Sequence, residues 1–279
     1  MEDRQVIREK YSELKLQAGM LQASPTYLLS EPDSGSYGLY TNSTTLANTR
    51  LSTNSTTSFY IIRHGDLVGD NTVSYTLQVS TSLGNLSIPQ LGGSLSLHGR
   101  DSKIHVVDYD LGGVNLIYSS AEIFSWKKTA SEKSVLVLYG GEGETHESAV
   151  PGTLAGSSLE IEGEGLIISG SSTATIINWS VEPSRRVVHF GDQLDVYLLW
   201  RNEAYNYWTL DLSLPEPIHR HTSSAASRAS GSVIVKAGYL VRTAEIDGNA
   251  LKLRGDVNVT TEIEVSASPS VISTIYFNE

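Results

Sequence analysis

Apolar residues recur along this chain with two periods, and the change from one to the other marks its first boundary. Over residues 2–22, Ile7, Tyr11, Leu14, Ala18 and Leu21 follow i, i+4, i+7 spacing and form one stripe of a predicted amphipathic helix. Glu2 and Asp3 lie near the positive end of its dipole. Gly19 is a weak spot, and Pro25 ends it. A lone helix must bury its stripe against something, either its own sheets or another domain.

From about residue 58 the period becomes two. Phe59-Tyr60-Ile61-Ile62, the run from Val73 to Val79, Ser94-Leu95-Ser96-Leu97, Ile104-His105-Val106-Val107 and the run from Val135 to Tyr139 read as short strands. Gly-Gly at 92–93, 112–113 and 140–141 and Asp-Gly at 247–248 punctuate them. Strands do not alternate with helices, so a parallel βαβ sheet or barrel is excluded and an antiparallel architecture is expected. Residues 211–231 break the pattern with two prolines and a polar run, as a linker or long loop would. A second set of runs follows: Val233-Ile234-Val235, Tyr239-Leu240-Val241, Leu251-Lys252-Leu253, Ile263-Glu264-Val265 and Ile275-Tyr276-Phe277. The prediction is an all-β chain: a many-stranded antiparallel β domain, then a small and incomplete β-sandwich, with one N-terminal amphipathic helix. Closing strands absent after Phe277 would leave an unpaired edge.

Composition narrows the function. The 279 residues suffice for two domains. A net charge of −11 repels phosphate backbones, so nucleic acid is not an expected partner. No apolar run approaches the ~20 residues of a membrane span. The charged start Met1-Glu2-Asp3-Arg4 lacks the apolar core of a secretion signal. Cysteine is absent, which removes disulfides, thiolate metal sites and a cysteine nucleophile. Asn42, Asn54, Asn85, Asn178 and Asn258 each open an acceptor sequon for N-glycosylation, a secretory trait unless the sequons arise by chance in a Ser/Thr-rich chain.

Candidate chemistry is sparse. Retaining glycoside hydrolysis needs two carboxyl groups about 5 Å apart. Glu142, Glu144 and Glu147 cluster around a Gly-rich turn, and Glu160, Glu162 and Glu164 alternate along one strand face. Each set reads either as an acidic or cation site or, more plainly, as a solvated hairpin and a solvated strand face. His146-Glu147 opens like a zinc-protease helix, but Val150 stands where the second ligand belongs. His219 and His221 could share a metal but lack a third ligand nearby. The run from Asp108 to Gly113 is a hairpin turn rather than a calcium loop, since the later bidentate Glu is missing. His105 reads as a satisfied strand histidine. No Gly-x-Ser-x-Gly elbow, phosphate loop or dinucleotide fingerprint occurs. Trp126, Trp179, Trp200 and Trp208 could stack on sugar rings or fill the core, and the neighbours of Trp200 and Trp208 favour packing. No catalytic, metal or cofactor residue is assigned.

One resemblance spans nearly the whole chain. It is carried by the segments 99–110 and 121–128, by Arg8-Glu9-Lys10-Tyr11-Ser12-Glu13-Leu14-Lys15-Leu16, and by Gln90-Leu91-Gly92-Gly93-Ser94-Leu95. The segments 201–208, 235–242 and 256–261 continue it. These resemble the large secreted fungal β-galactosidases of glycoside hydrolase family thirty-five. The resemblance implies a helical segment left from the end of a catalytic barrel at 1–27, the family's second domain at 28–212 and a truncated third domain at 213–279. In such enzymes a (β/α)₈ barrel removes terminal β-galactose with retention, and its two glutamates would lie before residue 1. The chain is therefore expected to be inactive alone, a non-catalytic scaffold whose partners are the barrel and later β domains of an extracellular parent, with β-galactoside carbohydrate as a further partner and no cofactor. The other reading is a free-standing carbohydrate-binding β-sandwich protein.

Overall fold

Short β-branched and aromatic runs between turn residues fold as strands, and they collect into three sheets and two small ribbons. The computed structural model describes residues 8–33, 36–37, 39–53, 55–66, 68, 70–156, 158–213, 231–256 and 260–278. Residues 2–7 of the predicted helix, most of the 211–231 break, and Asn54, His219, His221 and Asn258 lie outside the described residues.

The first sheet has nine strands, all in antiparallel pairs. Its centre runs from Ser58–His64 through Ser102–Asp110 and Asn115–Ser119 to Thr145–Pro151 and Ala174–Ser180. The second sheet has five, in the order Glu122–Lys128, Ser134–Gly140, Leu194–Trp200, Arg186–Phe190 and Leu159–Glu162. Their facing sides share one core, in which Phe59, Val106 and Ile177 meet Leu136, Leu138 and Val196. The ribbons Val73–Tyr75 with Leu95–Leu97 and Leu77–Thr81 with Gly84–Ile88 cover the other side of the first sheet.

A third sheet of six strands begins with Tyr207–Ser213, paired to Ser232–Lys236 and Leu240–Asp247, and curls around Trp208, Val233, Val241, Leu251 and Leu253. Ile234 and Ala267 reach the outer side of the second sheet, where they join Val135, Val137, Tyr139 and Leu16. Ser134–Gly140 is consequently buried at every position. It pairs in parallel with Leu194–Trp200, a second largely apolar strand. Parallel pairs suit strands covered on both faces, and this one departs from the antiparallel rule that the alternation suggests. Two more parallel pairs occur in the third sheet.

Glycine punctuation marks a turn in all four places, and at three of them the glycines themselves take positive φ. Gly92-Gly93, Gly112-Gly113 and Gly248 all have positive φ. Gly140 instead ends a strand, where an added Cβ would meet the His146 ring and Val181.

The helix, Arg8–Ala23, turns the opposite way from its apolar stripe. Tyr11, Leu14, Ala18 and Leu21 are exposed, while Ser12, Leu16, Gly19, Met20 and Ala23 are buried. Close approach explains the choice. At Gly19 the helix backbone lies against Phe124, and an added Cβ would sit 2.7 Å from that ring and 2.9 Å from its carbonyl oxygen. Gly19 is the contact residue rather than a defect. Gly19→Ala is expected to lower stability by about 1 kcal/mol in urea unfolding, because overpacking of roughly 1–3 kcal/mol exceeds the helix-propensity gain of about 1 kcal/mol. A raised midpoint would refute this account of the contact.

Candidate functional site

Period two along Ser102–Asp110 puts Lys103 and His105 on one face of the first sheet. Thr145–Pro151 brings His146 beside them, and Glu144 stands in the turn just before that strand. All four side chains are buried. Lys103 Nζ lies 2.9 Å and 3.0 Å from the two carboxylate oxygens of Glu144 and 3.3 Å from Glu122 Oε2. Glu144 Oε2 also accepts the Gly141 amide at 2.7 Å and faces His146 Nε2 at 2.8 Å. His105 has both nitrogens engaged: Nδ1–H donates to the Ser120 carbonyl at 2.8 Å, so Nε2 accepts the Tyr75 hydroxyl at 2.7 Å. This is the satisfied strand histidine that the sequence suggests.

The charges continue to the domain junction. Arg201 stands 3.2 Å from Asp101, 3.9 Å from Glu122 and 3.8 Å from Glu13 on the helix. Tyr205 Oη donates to Glu13 at 2.8 Å. Lys15, on the same helix, donates to the carbonyls of Tyr205 and Tyr207 at 2.7 Å and 2.8 Å and lies 3.9 Å above the Trp208 ring. Helix, first sheet and entrance to the third sheet are thus tied by one run of charge.

Burial opposes the Lys103 charge, yet Glu122 and Glu144 outweigh it and hold the ammonium above its ordinary value. Burial also pushes Glu144 up, but His146 and Lys103 together hold its carboxyl well below the usual range. At Glu122 burial wins over Lys103 and Arg201, and the carboxyl is raised. Burial, with His146 adding to it, lowers His105 to about 3. Two carboxyl groups pushed in opposite directions are the electrostatic mark of an acid pair. Here both serve one buried ammonium, which consumes the pair in an ion bridge.

The cluster Glu142, Glu144 and Glu147 is not a solvated hairpin: only Glu142 is exposed. The reason is topological, since Thr145–Pro151 is an inner strand, paired on one side with Asn115–Ser119 and on the other with Ala174–Ser180. Glu147 faces away from Glu144's partners. Its oxygens accept the amides of Gln90 at 2.6 Å and Leu91 at 2.9 Å and the Tyr118 hydroxyl at 2.7 Å. Nothing local in the sequence announces these partners, which lie 29 to 57 residues away. Glu160, Glu162 and Glu164 are exposed, but only Glu160 and Glu162 lie on the strand Leu159–Glu162, and Glu164 stands in the bend after it. The run from Asp108 to Gly113 closes as a hairpin turn, with the Leu111 amide on Val114 O at 2.8 Å and the Gly113 amide on Asp110 at 2.7 Å. Among the described residues no group of three His, Cys, Asp or Glu side chains could hold a metal ion. No described helix is long and apolar enough to cross a membrane. Trp179 and Trp208 are buried, and Trp126 and Trp200 are half-buried. Among the sequons, Asn42 and Asn85 are exposed, whereas Asn178 is buried in an inner strand.

By family profile, comparison with known proteins accounts for the chain from residue 29 onward. The profile described as beta-galactosidase, domain 2, matches residues 29–207, and that described as beta-galactosidase, domain 3, matches residues 208–279. Over 278 residues the chain is 50% identical to probable beta-galactosidase E of Aspergillus fumigatus, covering 99% of this chain and 27% of that protein. It is 48% identical over 282 residues to beta-galactosidase A of a Penicillium species and 45% identical over 280 residues to beta-galactosidase A of Aspergillus niger, with the same two coverages. The chain thus spans about a quarter of the length of these curated relatives.

Two measurements probe the buried charges. Lys103→Met is expected to cost about 3–5 kcal/mol, because it strands two buried carboxyl groups, while adding Glu144→Gln should return part of the loss. Equal stability of the single variant and the unsubstituted chain would contradict the ion bridge. His105 in the fold refuses a proton that the unfolded chain accepts between pH about 6.5 and about 3, so stability should fall as pH drops through that window. The loss is on the order of 3 kcal/mol by about pH 4. His105→Gln should flatten this dependence in thermal unfolding, and an unchanged slope would rule the histidine out as its source.

Proposed function

The chain belongs to the β-galactosidase family, as a non-catalytic portion made of its second and third domains, and we propose that it serves as the scaffold on which a catalytic barrel sits. The carrying observation is the apolar face of the helix. Tyr11 is 44% and Leu14 56% exposed, and Leu28 and Leu29 just beyond the helix are 71% and 79% exposed. Large apolar side chains left exposed on one face of the helix and in the turn after it are what a docking surface offers. The opposite face is clamped to the sheets through Leu16, Met20, Glu13 and Lys15, so the helix can hold a neighbour in a defined orientation. In this reading residues 1–27 are the end of the barrel, and the second and third domains meet where the third sheet begins, near residue 207 rather than at 212.

The parent hydrolyses terminal non-reducing β-D-galactose residues of β-galactosides as part of carbohydrate breakdown. Its acid pair belongs to the barrel, which fits the engagement of Glu122, Glu144 and Glu147 in buried structural contacts. The parent acts outside the cell and is glycosylated, with the exposed Asn42 and Asn85, and Asn54 and Asn258 outside the described residues, as candidate acceptors; the burial of Asn178 in an inner strand disfavours a glycan there. A match covering 99% of this chain but 27% of its relative favours a portion of a large enzyme over a free-standing carbohydrate-binding protein.

The test grafts the chain into the A. fumigatus relative in place of the matching stretch. The purified chain alone should not hydrolyse a nitrophenyl β-galactoside, and the graft should. Leu14→Asp with Leu21→Asp in the graft should lower the yield of active enzyme at least ~10-fold, since two buried carboxylates would oppose docking. Turnover by the isolated chain, or full activity of the doubly charged graft, would overturn the proposal.

A further inference from the structure

The third sheet ends in an open edge. Its outermost strand, Glu264–Ala267, pairs with Ser232–Lys236 on one side only. Among the described residues, the backbone of that strand makes no hydrogen bond on the other side. A row of free N–H and C=O groups is a template for one more strand. Two other edges are guarded, Glu31–Pro32 by a proline and a glutamate and Leu159–Glu162 by two glutamates. Here the one charged residue, Glu264, is already engaged by Arg185, which stands next to the second-sheet strand Arg186–Phe190.

A groove of about 380 Å³ opens beside this edge. Its far wall is the turn Thr129-Ala130-Ser131, which joins Glu122–Lys128 to Ser134–Gly140 in the second sheet. Two backbone bonds preset that turn: the Thr129 amide donates to the Lys133 carbonyl at 2.8 Å, and the Glu132 amide donates to the Thr129 carbonyl at 3.0 Å. The near wall is the edge itself, from Val265 to Ser268, and the segment after it, where Val271 is 76% exposed. No described residue lining the groove is charged.

We propose that an extended, uncharged segment from the rest of the parent polypeptide lies in this groove and adds a seventh strand to the third sheet. The inference rests on the reading of the chain as a portion of a larger enzyme: it covers 27% of the A. fumigatus relative, so most of that polypeptide lies outside the match. The chemistry of the groove selects the occupant. Free backbone groups at strand spacing are satisfied by another extended backbone, whereas a helix has already bonded its own. The short side chains of Ala130, Ser266 and Ser268 leave room for that backbone to approach. A charged side chain would lose its water here and find no counter-charge, so the segment carries apolar and hydroxyl side chains toward the groove, with Val271 as their contact. A second copy of the chain is opposed by the net charge of −11 that each copy carries.

The experiment is hydrogen exchange, read by mass spectrometry, on the full chain alone and on its graft in the A. fumigatus relative. Exchange over residues 265–268 should be fast in the chain alone and at least ~10-fold slower in the active graft. Ala130→Asp and Val271→Asp place a charge on either wall at exposed positions. Thermal unfolding of the isolated chain should therefore be unchanged by either variant, while each restores fast exchange at 265–268 in the graft. An active graft in which those amides stay fast, or slowing that both variants leave intact, would overturn this proposal alone. An inactive graft would overturn the reading beneath it, and this proposal with it. Slow exchange in the isolated chain together with a dimer's mass in sedimentation would make a second copy the occupant and likewise overturn it.

Discussion

The ammonium of Lys103 is fully buried, and that single fact constrains much of the molecule. A charge in such surroundings must be matched by carboxylates with good geometry, or the fold loses several kcal/mol. Glu144 reaches it from the turn before one strand and Glu122 from the start of another, so the first and second sheets must keep a fixed mutual position. Arg201 then shares Glu122 and extends the ionic chain to Asp101 and to Glu13 on the helix. The network yields specificity of arrangement more than net stability, because much of its attraction is spent on desolvation.

Around this centre the chain is layered: ribbons, first sheet, second sheet, then helix and third sheet. The second sheet is therefore sandwiched on both sides, which explains a strand buried at all of its positions and paired in parallel. The helix has a different status. It is pinned by Gly19, Leu16 and Met20 and presents its larger apolar side chains outward. That inversion makes sense for a chain covering about a quarter of the length of its relatives, as the outward face is what a neighbouring domain would cover.

Much of the architecture was legible from residue pattern. Alternation located most strands after residue 58, and Gly92-Gly93, Gly112-Gly113 and Asp247-Gly248 marked turns because positive φ falls to glycine. Strand Leu46–Ser52 was missed, since its Asn48, Thr49 and Arg50 dilute the apolar signal. Thr145–Pro151 was missed for a related reason: a Gly- and Glu-rich stretch resembles a surface hairpin. Its Glu147 is satisfied by the amides of Gln90 and Leu91, partners remote in sequence. The helix was legible as a helix but not in its orientation. Hydrophobicity ranks Leu14 and Tyr11 as the buried face, whereas close backbone packing selects Gly19 and Ser12.

By itself the sequence determined the β character, the turn positions, the lack of cysteine chemistry and, through its resemblance, the family and the order of its domains. Those properties are local or additive: a strand period, a glycine's φ and a matching segment need no knowledge of what lies across the fold. Tertiary structure alone decided which carboxylates are buried, which face of the helix is covered, which strands run parallel and that Trp126 stays half-buried at the edge of the main core. Each of these depends on residues brought together from distant parts of the chain. The cost of burying a charge or a bulky group is set by those neighbours and not by the residue itself.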